Sequence, residues 1–220
     1  MYSLRRPIGE FSLANIMQQL KESTRESHNN AESQEFQRLL ASGDLPRNLY
    51  VKYLEQLWII HSSLENHLKE IVRKDPALTG VVTDDQLQVP FLQQDLEFFG
   101  SDPQHASPTQ ATQWILGRLE KSATEGPALI GSHYVLLGSK HGGKFIAHSL
   151  QQKYHLNEGK GAIYFDPYGT NFQQIWKGFA GTLNEVPLTF EQEESMVKAA
   201  KEMFEGVGRL SEEMVQMQVS

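Results

Sequence analysis

The residues Tyr50, Tyr53, Leu54, Leu57, Ile60, Leu64, Leu68 and Ile71 recur at steps of three and four. That is the period of an α-helix with one apolar face, sustained over about six turns. A helix this long buries its stripe only against other helices, and the flanking sequence supplies them. Residues 1–11, with Arg5, Arg6, Pro7 and Gly9, read as an arm. Ser12 is a reasonable N-cap for a first helix running to about Ala41 and ending at Gly43, and Pro46 suits the start of the second. Phe91, Leu92, Leu96, Phe98 and Phe99 predict a short helix closed by Gly100. Ala111, Trp114, Ile115, Arg118 and Leu119 predict another that stops near Gly126-Pro127. Ala128 to Tyr154 starts apolar on nearly every side, so it should cross the middle of the fold. Ala162 to Tyr168 reads as a structured aromatic loop. Phe172, Ile175, Trp176, Phe179 and Leu183 give a further helix, and Thr189-x-x-Gln192 is a capping box before the last one, Met196 to Leu210. No strand alternation or internal repeat is present. The expected architecture is a single all-α domain over 12–215, arrayed around a central helix, with a tail at 216–220.

Composition narrows the function. Lys plus Arg count 20 against 27 Asp plus Glu, a net charge of −7, and no basic stripe is interleaved with aromatic residues. Nucleic acid is therefore not an expected partner. Met1 to Met17 contains no secretory apolar core, and no run approaches the ~18 apolar residues of a membrane span. The expectation is a cytoplasmic protein that does not enter a membrane. With no cysteine, disulfides, thiolate metal ligands, covalent heme attachment and cysteine nucleophiles are excluded.

Two stretches carry chemistry. In the first helix Leu13, Met17, Leu20, Thr24, His28 and Ala31 share one face, which puts His28 on its apolar stripe with Glu32 one turn on. A carboxylate at i+4 can accept from Nδ1–H and leave Nε2 free for a metal. A single histidine on such a face also serves commonly as a core or boundary residue, and His61 with Glu65 repeats the spacing. In the second stretch, Gly138, Gly142 and Gly143 fall inside an apolar helix, where each glycine costs about 1 kcal/mol relative to alanine. Gly131, Gly138 and Gly142 form one stripe along which a flat ligand or another helix could touch bare backbone, and the helix could kink there. Alternatively, these glycines end one helix and start the next.

No histidine has Glu three residues before it, as a di-iron carboxylate site requires, and zinc-protease, P-loop and dinucleotide patterns are absent. A flat, anionic, metal-bearing ligand held between a histidine and a glycine-rich helix is what remains. Heme meets that description, with Lys21 and Arg25 available for its carboxylates.

Leu20-Lys21-Glu22-Ser23-Thr24-Arg25-x-x-His28-x-x-Ala31-Glu32 resembles the proximal helix of heme oxygenases, and Tyr134-Val135-Leu136-Leu137-Gly138-Ser139-x-x-Gly142-Gly143 the distal helix of their bacterial branch. The resemblance extends from about Leu13 to Leu210. It implies cleavage of heme to biliverdin, CO and free iron with O2 and an external electron donor of reductase or ferredoxin type, by a monomer. It further implies that His28 is the proximal iron ligand and Glu32 its hydrogen-bond partner. Lys21 and Tyr134, with Arg25 and Lys177, are implied as propionate contacts. Gly138 and Gly142 would approach the distal heme face and Gly143 would support the kink. Animal and cyanobacterial members have an aspartate where this chain has Ser139, so distal protons would come through water. A leucine is common where this chain has His141. Those two positions motivate a second reading, a heme-binding storage or sensing protein with the same fold and no turnover. A related fold that hydrolyses thiamin-type substrates needs the cysteine that this chain lacks.

Overall fold

The computed structural model describes residues 15–157 and 159–219, which form helices joined by turns, with no strand among them. The expected arm and the Ser12 cap lie outside the described residues. Helix α1 (Ile16–Glu32) is capped by Asn15, whose side chain accepts from the Gln18 N–H at 2.9 Å. It does not continue to Ala41 as the sequence predicts. Ser33 folds its hydroxyl back onto the Asn30 carbonyl at 2.9 Å, and Gln34 is extended before α2 (Glu35–Ser42) begins. Short polar side chains that bond nearby backbone interrupt helices in this way. The break lets α2 turn Phe36 and Leu40 into the core. Gly43 ends α2 in the left-handed conformation (φ 74°), which suits a residue with no Cβ.

Helix α3 (Arg47–Lys74) buries every member of its apolar stripe. α4 (Val89–Phe98) and α5 (Gln110–Ala123) pack beside it. The all-round apolar segment becomes α6 (Leu129–Gly138), with Leu129 to His133 and Val135 to Leu137 buried at the centre of the fold. α7 (Lys140–Lys153) follows after a break at Ser139 alone, and α8 (Phe172–Glu185) lies beyond the aromatic loop. The predicted capping box opens α9 (Phe190–Val219): the Thr189 N–H donates to Gln192 Oε1 at 2.8 Å and the Gln192 N–H to Thr189 Oγ1 at 3.3 Å. α9 runs on to Val219, through positions the sequence assigns to a tail. It can lie close along α6 because Gly131 has no side chain. A Cβ there would come within 1.9 Å of the Met196 carbonyl oxygen.

The aromatic loop is fastened from two sides. Asp95 of α4, fully buried, accepts from the N–H groups of Ile163 and Tyr164 at 2.9 and 2.8 Å. Lys140 of α7, also buried, donates to the Tyr164 carbonyl at 2.8 Å, with its ammonium 3.0 Å from the Tyr164 ring centroid. Burial raises the Asp95 carboxyl to about 6 against the bonds that favour its charge, whereas burial lowers His133 of α6 to about 4. The two act oppositely on stability. The unfolded chain protonates His133 near 6.5, so its contribution is lost as pH falls through that value towards 4. The native state holds the Asp95 proton up to about 6, so the Asp95 contribution is lost as pH rises from about 4 to 6. Asp95→Asn should therefore steepen the loss of stability between pH 6.5 and 4. Thermal melts at several pH values would check this, and an unchanged slope would contradict it.

Candidate active site

The residues singled out on α1 turn a polar flank outward. Leu20, Thr24 and Ala31 are buried, but His28 is not on the buried stripe: half of its side chain is exposed, as are Lys21, Arg25 and Glu32. The correction follows from what covers the helix. α9 packs on α1, where the Phe204 ring stands edge-to-face with His28 at 5.6 Å between centroids, and half of the His28 side chain stays exposed. Glu32 Oε2 lies 3.5 Å from His28 Nδ1. A carboxylate there favours the tautomer with its proton on Nδ1, and Nε2 then presents a lone pair.

Tyr134 of the glycine-bearing helix faces α1: burial raises its hydroxyl above the ordinary value, and the nearby Thr24 side chain works against that shift. Thr24 is one turn before His28, and Tyr134 one turn before Gly138. Lys177 on α8 is exposed, and α8 also packs on α1.

The four glycines of the second stretch divide by what a Cβ would meet. Gly131 meets the α9 backbone, so it belongs to helix packing and leaves the ligand stripe on which the sequence places it. Gly138 faces the Trp176 ring at 3.4 Å, and Gly142 faces nothing within 4 Å. At Gly143 a Cβ would sit 1.8 Å from the Phe165 carbonyl oxygen. Gly143 thus admits the aromatic loop against α7. The kink itself is the helix break at Ser139, whose N–H still reaches the Val135 carbonyl at 3.0 Å and whose hydroxyl donates to the Leu136 carbonyl at 2.7 Å. His141 Nδ1–H donates to the Gly138 carbonyl at 2.8 Å, with its ring edge-on to Phe172 and Trp176. Ser139 and Gly142, three residues apart and both exposed, share the open face of the break.

Sequence reasoning missed Asp95, Lys140, Tyr164 and Trp176 as parts of this region. The second His–Glu pair is the buried one: His61 and Glu65 are 2% and 6% exposed, and Glu65 accepts from the N–H groups of Gln88 and Val89 at 2.6 and 3.0 Å. A groove of about 980 Å³ between α1 and α9 is lined by Ser23, Ser27, Ala31, Lys198, Phe204 and Arg209 among others, and by none of His28, Glu32, Lys21 or Arg25.

These residues fit heme. An open imidazole with a carboxylate at its far nitrogen suits an axial ligand, exposed cations suit propionates, and Gly142 leaves unfilled space where a flat ring could approach the backbone.

Comparison with known proteins agrees. The family model for heme oxygenase matches residues 14–213. Heme oxygenase 1 of Synechocystis sp. is 25% identical over 195 residues, covering 86% of this chain and 80% of that protein. Heme oxygenase 1 of Bos taurus is 28% identical over 195 residues, covering 84% and 67%. Among solved structures, the heme oxygenase of Leptospira interrogans has a TM-score of 0.83 at 25% identity, over 91% of this chain and all of that one. The fold is also that of Synechocystis heme oxygenase-2, solved in complex with heme and NO (TM-score 0.85, 23% identity, 93% and 86% covered). From residue 14 to residue 213, therefore, the chain belongs to the heme oxygenase family.

Proposed function

We propose that heme is bound and cleaved between α1 and the break separating α6 from α7, with His28 as the iron ligand. Degradation of heme to biliverdin, CO and iron is the general reaction of the family, and the chain is an enzyme of that kind. The observation that carries the assignment is the half-open His28 imidazole with Glu32 3.5 Å from its Nδ1.

Bound heme supplies the redox chemistry and activates the oxygen that attacks it, so the protein needs no nucleophile. Its residues bind and orient. His28 offers a neutral nitrogen, and Glu32 holds the ring and its tautomer. Lys21, Arg25 and Lys177 supply charge for the two propionates, and the Tyr134 hydroxyl a hydrogen-bonding group beside them. Gly138 and Gly142 keep the open face free of side chains, leaving space for O2. Ser139 places a hydroxyl at that face, and Gly143 seats the loop behind it. Electrons come from an external donor of reductase or ferredoxin type, and a cytoplasmic monomer completes the proposal. Among the described residues, no helix is long and apolar enough to cross a membrane.

The assignment of the open face is tested by Gly142→Leu. With nothing within 4 Å of the added Cβ, the variant should fold normally. It should retain heme through His28 yet lose most CO binding by the reduced complex, read by absorption. CO affinity within twofold of the unaltered chain would remove Gly142 from the site.

A further inference from the structure

The two charges that fasten the aromatic loop stand where they act on the break in the glycine-bearing helix. Lys140 is the first residue of α7, directly after Ser139, and Asp95 lies on α4. Both are buried, at 5% and 0% exposure. They meet at one residue of the loop. The Tyr164 N–H donates to Asp95 Oδ2 at 2.8 Å, and the Tyr164 carbonyl accepts from Lys140 Nζ at 2.8 Å. The backbone of a single residue thus bridges α4 to the point where α7 restarts. One turn further along α7, the Phe165 carbonyl oxygen lies 1.8 Å from where a Cβ would stand at Gly143. The loop therefore grips α7 at two successive turns.

Stability alone does not account for this pair. Burial raises the Asp95 carboxyl and lowers the Lys140 ammonium, and the charge of each works against that effect in the other. A buried ion pair is commonly no more stable than well-packed apolar side chains of the same size. What these charges add is direction. Asp95 takes the N–H groups of Ile163 and Tyr164, and the Lys140 ammonium takes the Tyr164 carbonyl while lying 3.0 Å from the centroid of its ring. Charged hydrogen bonds to successive peptide groups allow one arrangement of the loop and of the turn it holds. That turn has two sides. Lys140 and Gly143 are buried against the loop, and Ser139 and Gly142 are exposed on the open face.

We propose that Asp95 and Lys140 are positioning residues for heme cleavage. Acting through the Tyr164 backbone, they fix where α7 restarts and so hold the wall made by Ser139 and Gly142 in place before heme arrives. A wall set in advance spares the reaction the cost of ordering it. The proposal rests on the reading of that face as the one where heme is cleaved.

The first test needs no heme. Lys140→Met keeps the length of the side chain and removes its donor. Amide hydrogen exchange over residues 139–147 of the full chain should rise about tenfold, roughly the worth of one hydrogen bond, with exchange in α1 unchanged. No rise, or an equal rise in both segments, would overturn the proposal. In the heme-loaded enzyme, the C–O stretch of the reduced CO complex should broaden or split in Lys140→Met while the iron–histidine stretch stays in place. Its kcat should fall about tenfold with heme affinity unchanged. A single unshifted C–O band with an unaltered kcat would also overturn it. Should Lys140→Met fail to fold, Asp95→Asn replaces it. Its amide keeps one acceptor for two N–H groups, and the same local rise in exchange is expected. A chain that bound no heme would refute the site assignment while exchange still decided whether the bridge holds α7, so the two failures are distinguishable.

Discussion

His28→Ala is expected to remove the axial ligand and with it turnover, while leaving the fold as it is. The imidazole is half exposed, and among the described residues its ring neighbour is Phe204, edge-to-face. Truncation therefore opens no sealed cavity, and stability should change by less than about 1 kcal/mol. Function should respond differently. Loss of a group that merely supports a metal ligand commonly costs 10- to 100-fold, and loss of the ligand itself should exceed this. Biliverdin formation should fall at least about a hundredfold, and the absorption spectrum of the heme complex should no longer show a histidine-ligated iron. Parallel circular dichroism, heme titration and turnover assays would separate these outcomes. Activity retained in a folded His28→Ala chain would move the ligand elsewhere.

The largest effect on stability is expected from Gly131→Ala. The added carbon would need the place of the Met196 carbonyl oxygen, 1.9 Å away, and that oxygen belongs to the backbone of α9. Neither helix can rotate a side chain out of the way, so α6 and α9 must separate. Overpacking of this kind costs about 3 kcal/mol, equivalent to a fall in Tm of roughly 10 °C for a domain of this size. Gly143→Ala should behave alike, since the Phe165 carbonyl oxygen lies 1.8 Å from its Cβ. Gly142→Ala meets nothing, and the gain in helix propensity should stabilise the chain by up to about 1 kcal/mol. A flat response across all three in a melting experiment would refute this division of the glycines.

That division was only partly legible in the sequence. Glycines in an apolar helix announce a close approach, but their spacing does not say to what. Gly131 and Gly142 share a stripe yet meet a helix and open space respectively, because α9 passes one and not the other. The same limit applies to the two histidines with a carboxylate at i+4. Identical spacing gave an open pair at His28 and a buried one at His61, since burial is decided by elements distant in the chain. Local signals were read well where the physics is local, as in the α3 stripe, the Gly43 terminus and the Thr189 capping box. The break between α1 and α2 was local too, but it depends on Ser33 choosing a backbone partner over the helix. Asp95, Lys140 and Tyr164 had no signature, because their bonds span 24 to 103 residues.

The most direct measurement is the fate of heme on the purified chain under O2 with a reductant supplied. Loss of the heme absorption band with stoichiometric appearance of biliverdin and CO is the predicted result. A heme complex that survives reduction and O2 with no bilin formed would contradict it, and would leave a protein that keeps the family's pocket without its reaction.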